Sequence, residues 1–521
     1  MLTDTLALFA LDFSGLAAML TGIGGLMKIW MVGALVGAIG LCGATSAAAA
    51  DAKKVRAALV KAFEAAQRED CPAALKLLKP QLKPKIVAQL NEEVAAAAYH
   101  LAAVCAAQSG NLSDARAFAT AGTALESAPD VLWQMRLSVE MELKDSEAAV
   151  ATVVAMSEGR GRALNGFGLR WLYRLDTMLR DAKADAARER FLHVMTASGF
   201  DPDEPMASKD GFRERLMRIL DARGDHAAAA ALVREIEGTS ALIRLSLQPA
   251  FAPMLPADFD PRASVERELK QVRAAMLRYP KHLAPILQAA ELLRVLGRPA
   301  EALAALESAR TDGKQLADYE DAAERTPWWW DSLGSTHLVL GDADATLAAY
   351  REGGKTVEDG QINVSQVINM AGVQNRLGRF ADALKTLPAE GVKFPVSPYG
   401  AMQIRLVRVC ANAALGNAAA VAVDRAWIEA HSKDDPESLR DLYLCVDDLD
   451  AAAKAVIAEL DDPEQRVGTL LDFSDYDDPP ASKPVPFTHA RWVALKQRAD
   501  VQAAFKAAGG IRRIPLQSGE F

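Results

Sequence analysis

The sequence has few aromatic residues, which make up only 6% of its 521 residues. A single large globular core relies on bulky aromatic side chains, so their scarcity argues against one. Alanine is in visible excess instead, and small side chains allow helices to pack closely together. A chain of this length forms two or more domains or one open-ended repeat array. The composition favours stacked helices.

The sequence also lacks a large excess of either charge. Its 59 Lys and Arg residues against 68 Asp and Glu residues give a net charge of −9, which is modest for this length. Binding to nucleic acid requires a basic face. The overall charge therefore argues against nucleic acid as a partner.

Motifs for catalysis and metal binding are missing from the sequence as well. It contains no Walker-type phosphate loop, no His-Glu-x-x-His, no Cys-x-x-Cys and no Gly-x-Ser-x-Gly. The acidic segment Asp472–Asp478 lacks the turn glycine and the final glutamate of an EF-hand, so we interpret it as a solvated linker. We expect no catalytic residue, no cofactor and no metal site.

The first fifty residues have the order of a secretory signal peptide. Lys28 precedes an apolar run over Ile29–Leu41, and small residues then lead to Ala48–Ala50. The run is too short and too rich in glycine for a stable membrane span. We expect a start at Met27, cleavage after Ala50, and a periplasmic or secreted protein. The alternative is a retained N-terminal segment, which would anchor the protein in the inner membrane, facing the periplasm.

A repeated helix–turn–helix pattern is the strongest signal in the chain. One unit reads Trp330-x-x-Leu333-Gly334-x-x-His337-x-x-Leu340-Gly341-Asp342, followed by Leu347-x-x-Tyr350. Glycine at the turn is suited to ending the first helix in a left-handed conformation. Other units with apolar residues at helical spacing on both sides of a turn have their turns at Glu69-Asp70, Gly110, Gly224, Gly297, Gly378 and Gly416.

This pattern resembles the tetratricopeptide repeat (TPR), a helix pair with a period of about 34 residues. The turn glycines Gly341 and Gly378 are 37 residues apart (378 − 341). The resemblance implies an all-α fold, a TPR-like α–α superhelical solenoid. It also implies a concave groove that binds a protein or peptide partner.

Clusters of proline divide the array into segments. We predict an N-terminal extension and signal peptide over residues 1–50, a helical repeat solenoid over 51–245, a proline-rich linker over 246–263, and a second TPR-like solenoid over 264–468. Residues 469–521 form an acidic linker and a basic tail, in which Thr488–Ala508 is predicted to be one amphipathic helix. This helix would cap the last repeat, since an open solenoid needs its end covered.

The cysteines outside the signal peptide form two pairs that are each about one repeat apart. Cys71 and Cys105 lie in the first solenoid, and Cys410 and Cys445 lie in the second. This spacing leaves disulfides between successive helix pairs open. All four lie in apolar helical sequence, however, where cysteine is usually a small buried hydrophobe. We expect unpaired core thiols.

The resemblance also suggests which side chains face the groove. Aligned on Trp330, the groove side carries Trp328, Asp331 and Ser335 on one first helix, with Asn375 and Arg376 on the next. Trp328 would be an interface anchor, or would pack against the preceding helix. Some TPR proteins clamp a carboxylate with Lys, Asn and Arg from the fifth and ninth positions of first helices. The matching residues here include no basic one and are Leu287, Glu291, Asp331, Ser335, Ile368 and Gly372.

Three functions are compatible with these patterns. The favoured one is a non-enzymatic exported scaffold that binds a peptide or envelope partner in its groove. The second is an exported enzyme whose diverged catalytic region lies near residues 159–215, where Arg160, Arg162, Arg170 and Arg174 are crowded. The third is an interaction protein that the retained N-terminal segment holds at the membrane. Fold alone does not decide among them.

Overall fold

The computed structural model describes residues 46–518, except 312, 314, 359–360, 389–395 and 481. The predicted start at Met27 and most of the predicted signal peptide lie outside the described residues. The described chain is all-α apart from four short strands. It forms two compact units, the N-terminal unit (residues 46–225) and the C-terminal unit (residues 226–518).

Eleven helices form the described part of the N-terminal unit. They are α1 (Ser46–Gln67), α2 (Cys71–Leu78), α3 (Pro84–Val87), α4 (Glu92–Gln108), α5 (Leu112–Thr123), α6 (Asp130–Glu142), α7 (Ser146–Gly159), α8 (Gly161–Asn165), α9 (Leu169–Asp181), α10 (Asp185–Thr196) and α11 (Asp210–Ala222). The pairs α1/α2, α4/α5, α6/α7 and α9/α10 are helical hairpins, and each hairpin packs on the next.

The C-terminal unit continues the same architecture with sixteen helices in the described residues. They are α12 (His226–Arg234), α13 (Thr239–Ser246), α14 (Pro261–Arg278), α15 (Ala284–Val295), α16 (Pro299–Glu307), α17 (Ala322–Leu340), α18 (Ala343–Gly353), α19 (Val364–Arg376), α20 (Phe380–Thr386), α21 (Pro398–Ala414), α22 (Ala418–Ala430), α23 (Pro436–Cys445), α24 (Leu449–Asp461), α25 (Arg466–Asp472), α26 (His489–Gln497) and α27 (Ala499–Ala508). Five hairpins stack from α15/α16 to α23/α24. This is the predicted TPR-like solenoid.

The boundary between the two compact units lies between Asp225 and His226, before the linker predicted at residues 246–263. The proline-rich residues belong to the C-terminal unit, where Ala252–Met254 form a short 3-10 helix and Phe251 is buried. Proline therefore ends helix α13 and redirects the chain here, and a hydrophobic anchor keeps the segment packed.

Each hairpin turn contains a left-handed residue, and in several turns a side chain caps the second helix. In the α4/α5 turn, Gly110 has a φ of 76°, and the side chain of Asn111 accepts a hydrogen bond from the Asp114 backbone N–H at 3.1 Å. The α17/α18 turn repeats this arrangement with Gly341 and Asp342. The glycine allows the sharp reversal, and the cap satisfies a backbone donor that the new helix leaves free.

Besides the turn predicted at Glu69, three hairpin turns use a residue other than glycine, and the sequence did not predict them. Lys144, Lys183 and Asp447 have positive φ values of 54°, 53° and 62°. They join α6 to α7, α9 to α10, and α23 to α24. A side chain in this conformation costs free energy, which the packing of the hairpin must offset.

Small residues set the spacing between paired helices. A Cβ atom added to Gly334 on α17 would lie 2.7 Å from Cε2 of Tyr350 on α18, which is too close for any side chain. Helix α4 likewise buries a run of small residues that includes Ala95–Ala98 and Ala102–Ala103. The excess of alanine and the small number of aromatics therefore have one structural cause, the close approach of helices.

The C-terminal tail caps the last hairpin, as predicted, although it is not one helix. Helices α26 and α27 are separated at Arg498, where ψ is 138°. Their aromatic side chains cover Phe473, which stacks on Trp492 and packs on Phe505, each at 4.9 Å between ring centroids. Phe473 is 0% exposed, so the tail completes a core that the last hairpin would otherwise leave open.

The acidic segment before the tail is not a solvated linker, so that prediction was wrong. Residues 475–477 form strand β3 (Asp475–Asp477), which pairs in parallel with β4 (Arg513–Gln517). The carboxylates bond to basic side chains, Asp472 to Arg440 at 2.9 Å and Asp477 to Arg262 at 2.8 Å. Arg262 lies at the start of α14, and β4 contacts α14 and α15. The tail thus joins the start of the C-terminal stack to its end.

The remaining strands, β1 (Val357–Glu358) and β2 (Gln361–Ile362), form a small antiparallel pair between α18 and α19. No helix among the described residues is long and apolar enough to cross a membrane.

Cys410 and Cys445 form a disulfide between the first helices α21 and α23, so the expectation of an unpaired thiol is wrong for this pair. Cys71 and Cys105 are buried and are not joined by a disulfide.

The non-glycine turns generate a prediction about stability. Replacing Lys144 or Lys183 by glycine removes the cost of a side chain at positive φ, so each change should stabilise the protein by about 0.5–1 kcal/mol. The matched control is Gly110→Ala, because a Cβ at Gly110 would meet no atom within 4 Å. We expect it to destabilise by about 1 kcal/mol. Urea denaturation measures all three, and a loss of stability in both glycine variants would contradict this account.

A second prediction concerns His100, which is 4% exposed within α4. Burial lowers its pKa to about 4, and its Nε2 has no hydrogen-bond partner among the described residues. The unfolded chain binds a proton near the ordinary pKa of 6.5, before the folded protein does. Stability should therefore be complete above pH 6.5 and fall by up to about 3 kcal/mol as the pH drops to 4.

The measurement is the difference in unfolding free energy between the native protein and His100→Leu across this pH range. The unfolding free energy of His100→Leu should fall much less between pH 6.5 and pH 4 than that of the native protein. The control His489→Leu, at an exposed position, should show the same fall as the native protein. Parallel curves for the native protein and His100→Leu would show that the imidazole is not held neutral.

Candidate binding surface

The five predicted site residues lie on the first helices of two successive hairpins. Trp328, Asp331 and Ser335 are three and four residues apart on α17, which places them on one face of that helix. Asn375 and Arg376 are the last two residues of α19. We call the partly exposed side chains of these two helices the first-helix surface.

Asp331 connects the two helices of this surface. It is partly exposed and accepts a hydrogen bond from Nδ2 of Asn369 on α19 at 2.8 Å. Asn369 was not predicted as a site residue, because the repeat alignment considered Ile368 beside it. The pair gives the surface a carboxylate and an amide side by side, both able to bond to a peptide backbone.

Ser335 is tied to its own hairpin. Its Oγ lies 3.0 Å from the phenol oxygen of Tyr350, which is on α18 and 4% exposed. Ser335 therefore helps to position α17 against α18, and its remaining exposure leaves room for a further hydrogen bond.

The structure separates the roles of Asn375 and Arg376. Asn375 is 7% exposed, and its Nδ2 donates to the backbone oxygen of Val407 on α21 at 2.8 Å. It therefore holds successive first helices together. Arg376 is an exposed residue at the end of α19, although burial of its guanidinium lowers the pKa of that group.

The three consecutive tryptophans have three different environments. Trp329 is 1% exposed, and its indole N–H donates to the backbone oxygen of Leu306 in the preceding hairpin at 3.1 Å. Trp330 is partly buried beside Gly353 of α18, so it lies between the helices of its own hairpin, as the alignment suggested. Trp328 is partly exposed. Trp329, which the alignment did not single out, is the most buried of the three.

Arg294 is a further residue of this region that the sequence did not reveal. It is 8% exposed on α15 and donates to Oγ of Ser332 at 2.7 Å and to Oγ1 of Thr336 at 3.2 Å, both on α17. The guanidinium therefore links the successive first helices α15 and α17 by hydrogen bonds. It is not presented to solvent as a carboxylate-binding group.

Residues 159–215, considered as a diverged catalytic region, fold mainly as helices α8 to α11. Helix α10 packs on α7, α9 and α11, so the region continues the helical stack. Its arginines bond to the preceding hairpin, Arg174 to Glu142 at 3.1 Å and Arg160 to the backbone oxygen of Glu126. These bonds give Arg160 and Arg174 a structural role.

Among the residues that the structure describes, no group of three or more His, Cys, Asp or Glu side chains is arranged to hold a metal ion.

The hairpins define a TPR-like helical-repeat protein. No protein-family model matches the sequence, and no curated protein is similar to it. Solved structures similar to this chain include a tetratricopeptide repeat protein from Parabacteroides merdae, with 12% identity over 59% of this chain and 94% of that one, at a TM-score of 0.27. Yeast Tom70 has 13% identity, covers 87% of this chain and 99% of its own, and has a TM-score of 0.25.

A chain of the APC/C complex Cut9–Hcn1 is 12% identical, with coverage of 87% and 96% and a TM-score of 0.28. The helical hairpins described above carry the assignment of the fold.

The contrast between Asn375 and Arg376 leads to a prediction. Asn375→Ala removes the bond to Val407 and should destabilise the protein by about 1–2 kcal/mol. Arg376→Ala changes an exposed side chain and should alter stability by less than about 0.5 kcal/mol. Thermal unfolding of the two variants distinguishes them. Equal effects would mean that the two residues do not have the separate roles assigned here.

Proposed function

We propose that this protein is a non-enzymatic, exported interaction scaffold that binds a peptide segment of an envelope protein on its first-helix surface. The observation that supports this most directly is the arrangement of accessible groups on α17 and α19. Trp328 offers an apolar contact, Asp331 and Asn369 offer an acceptor and a donor, and Arg376 offers a cation. Large aromatic and arginine side chains dominate the energy of many protein interfaces.

The proposed ligand is an extended peptide, since the polar groups suit recognition of a backbone. The residues at the fifth and ninth positions of the first helices include no basic one. The buried Arg294 is already hydrogen-bonded to Ser332 on α17. The surface should therefore not depend on the free carboxylate at the end of a partner chain. A peptide from the interior of a partner sequence should bind as well as a terminal one.

Export is part of the same proposal and is supported by the order of residues 27–50. The Cys410–Cys445 disulfide agrees with an oxidising compartment, where structural disulfides persist. Release of the native protein by osmotic shock tests this part. Recovery with the cytosol would contradict it.

Partner capture tests the binding surface. The purified protein is immobilised and incubated with an envelope extract, and the retained proteins are identified by mass spectrometry. Trp328→Ala and Arg376→Ala should each reduce capture of a specific partner at least tenfold. The controls are Trp171→Ala, a partly exposed tryptophan of the N-terminal unit, and Arg351→Ala, an exposed arginine on the second helix α18.

Both controls should capture the partner as the native protein does. Undiminished capture by Trp328→Ala and Arg376→Ala would remove the first-helix surface as the binding site. Equal losses in all four variants would indicate a general effect on the protein and would count against the surface in the same way.

A further inference from the structure

The N-terminal unit contains a second pair of cysteines whose sulfurs almost touch. Sγ of Cys71 lies 2.6 Å from Sγ of Cys105. Non-bonded carbon atoms, which are smaller than sulfur, stay about 3.5–4.0 Å apart. Two sulfurs in a disulfide are about 2.0 Å apart. The packing of α2 on α4 therefore holds the two sulfurs closer than an ordinary non-bonded contact, at a separation near that of a disulfide.

We propose that Cys71 and Cys105 form a second structural disulfide, which fastens α2 of the first described hairpin to α4 of the next. The two residues are 34 positions apart, close to the 35 that separate Cys410 from Cys445. Both bridges thus span one repeat. Each compact unit then contains one covalent link between successive hairpins.

The location of the bridge has a physical rationale. In a repeat array each hairpin contacts only its neighbours, so the stability of the stack depends on the interface between each pair of successive hairpins. Helix α2 belongs to the first hairpin that the structure describes in its unit, and its contact with α4 is the link to the second. The Cys71–Cys105 bond strengthens this contact.

The chemistry balances with a single oxidant. The thiolate of one cysteine attacks a small-molecule or protein disulfide and breaks its S–S bond, which gives a mixed disulfide and releases one thiol. The second cysteine then displaces the other half as a second thiol, so two electrons and two protons pass to the oxidant and one bond forms between the two Sγ atoms. Burial raises the pKa of both thiols in the folded protein, so the reactive thiolate is scarce there. The bond therefore forms while the hairpins are closing, when the thiols still meet solvent.

Oxidative refolding of the full chain tests the proposal. The reduced, unfolded protein is refolded in a mixture of reduced and oxidised glutathione, denatured without reductant, alkylated, digested and analysed by mass spectrometry. We expect one peptide pair that joins Cys71 to Cys105 and another that joins Cys410 to Cys445. Alkylated Cys71 and Cys105 would overturn the proposal, whatever the state of the other pair.

Variants show whether the bond fastens the hairpins. Cys71→Ser should leave Cys105 as the only newly alkylated cysteine, and Cys105→Ser should do the same for Cys71. The double variant Cys71→Ser/Cys105→Ser should unfold at a lower temperature than the oxidised native protein. Its unfolding temperature should equal that of the native protein in which Cys71 and Cys105 are reduced. Cys410→Ser/Cys445→Ser is the matched control, in which the Cys71–Cys105 peptide pair should persist. Its disappearance in that control would also contradict an independent bridge.

Discussion

The structure depends on one local constraint, the close packing of two helices that a left-handed residue joins. Gly110 and Gly341 reverse the chain, and the residue after each caps the next helix. The reversal brings the two helices together at small residues, as at Gly334 against Tyr350. Because a hairpin buries only part of its apolar surface, it must stack on another, and the stack follows.

Much of the fold could be predicted because this constraint is local. Turn glycine, apolar residues at helical spacing and small contact residues are all visible in the sequence, and they predicted the TPR-like stack. The turns at Lys144, Lys183 and Asp447 could not be found in this way. The packing of the flanking helices imposes their left-handed conformation, so these turns have no glycine by which the sequence could reveal them.

The tail and the site were predictable only in part, because they depend on contacts between distant residues. The aromatic residues of the tail predicted a cap, yet the pairing of β3 with β4 joins segments about 40 positions apart. Arg262 reaches Asp477 across 215 positions. At the proposed site, the alignment suggested Trp328 and Arg376, which remain predictions. The burial of Asn375 and the bond from Asn369 to Asp331 follow from how the hairpins stack.

The structural contacts also reduce the number of side chains that are available to the proposed binding surface. The conspicuous polar groups Arg294, Asn375 and Ser335 are used to hold helices together. The tail meets the stack at the turns, through Ser482 near Gly341 and Gln517 near Gly297. Trp328, Asp331, Asn369 and Arg376 retain exposure on the first helices.

The most direct test of the central claim is site-specific photocrosslinking. A photoreactive phenylalanine derivative is placed at position 328 on the first-helix surface or at position 351 on the second helix, and the protein is irradiated in an envelope extract. The account predicts a covalent adduct with one defined protein from position 328 and none with that protein from position 351. An adduct from position 351 alone, or none from position 328, would contradict it.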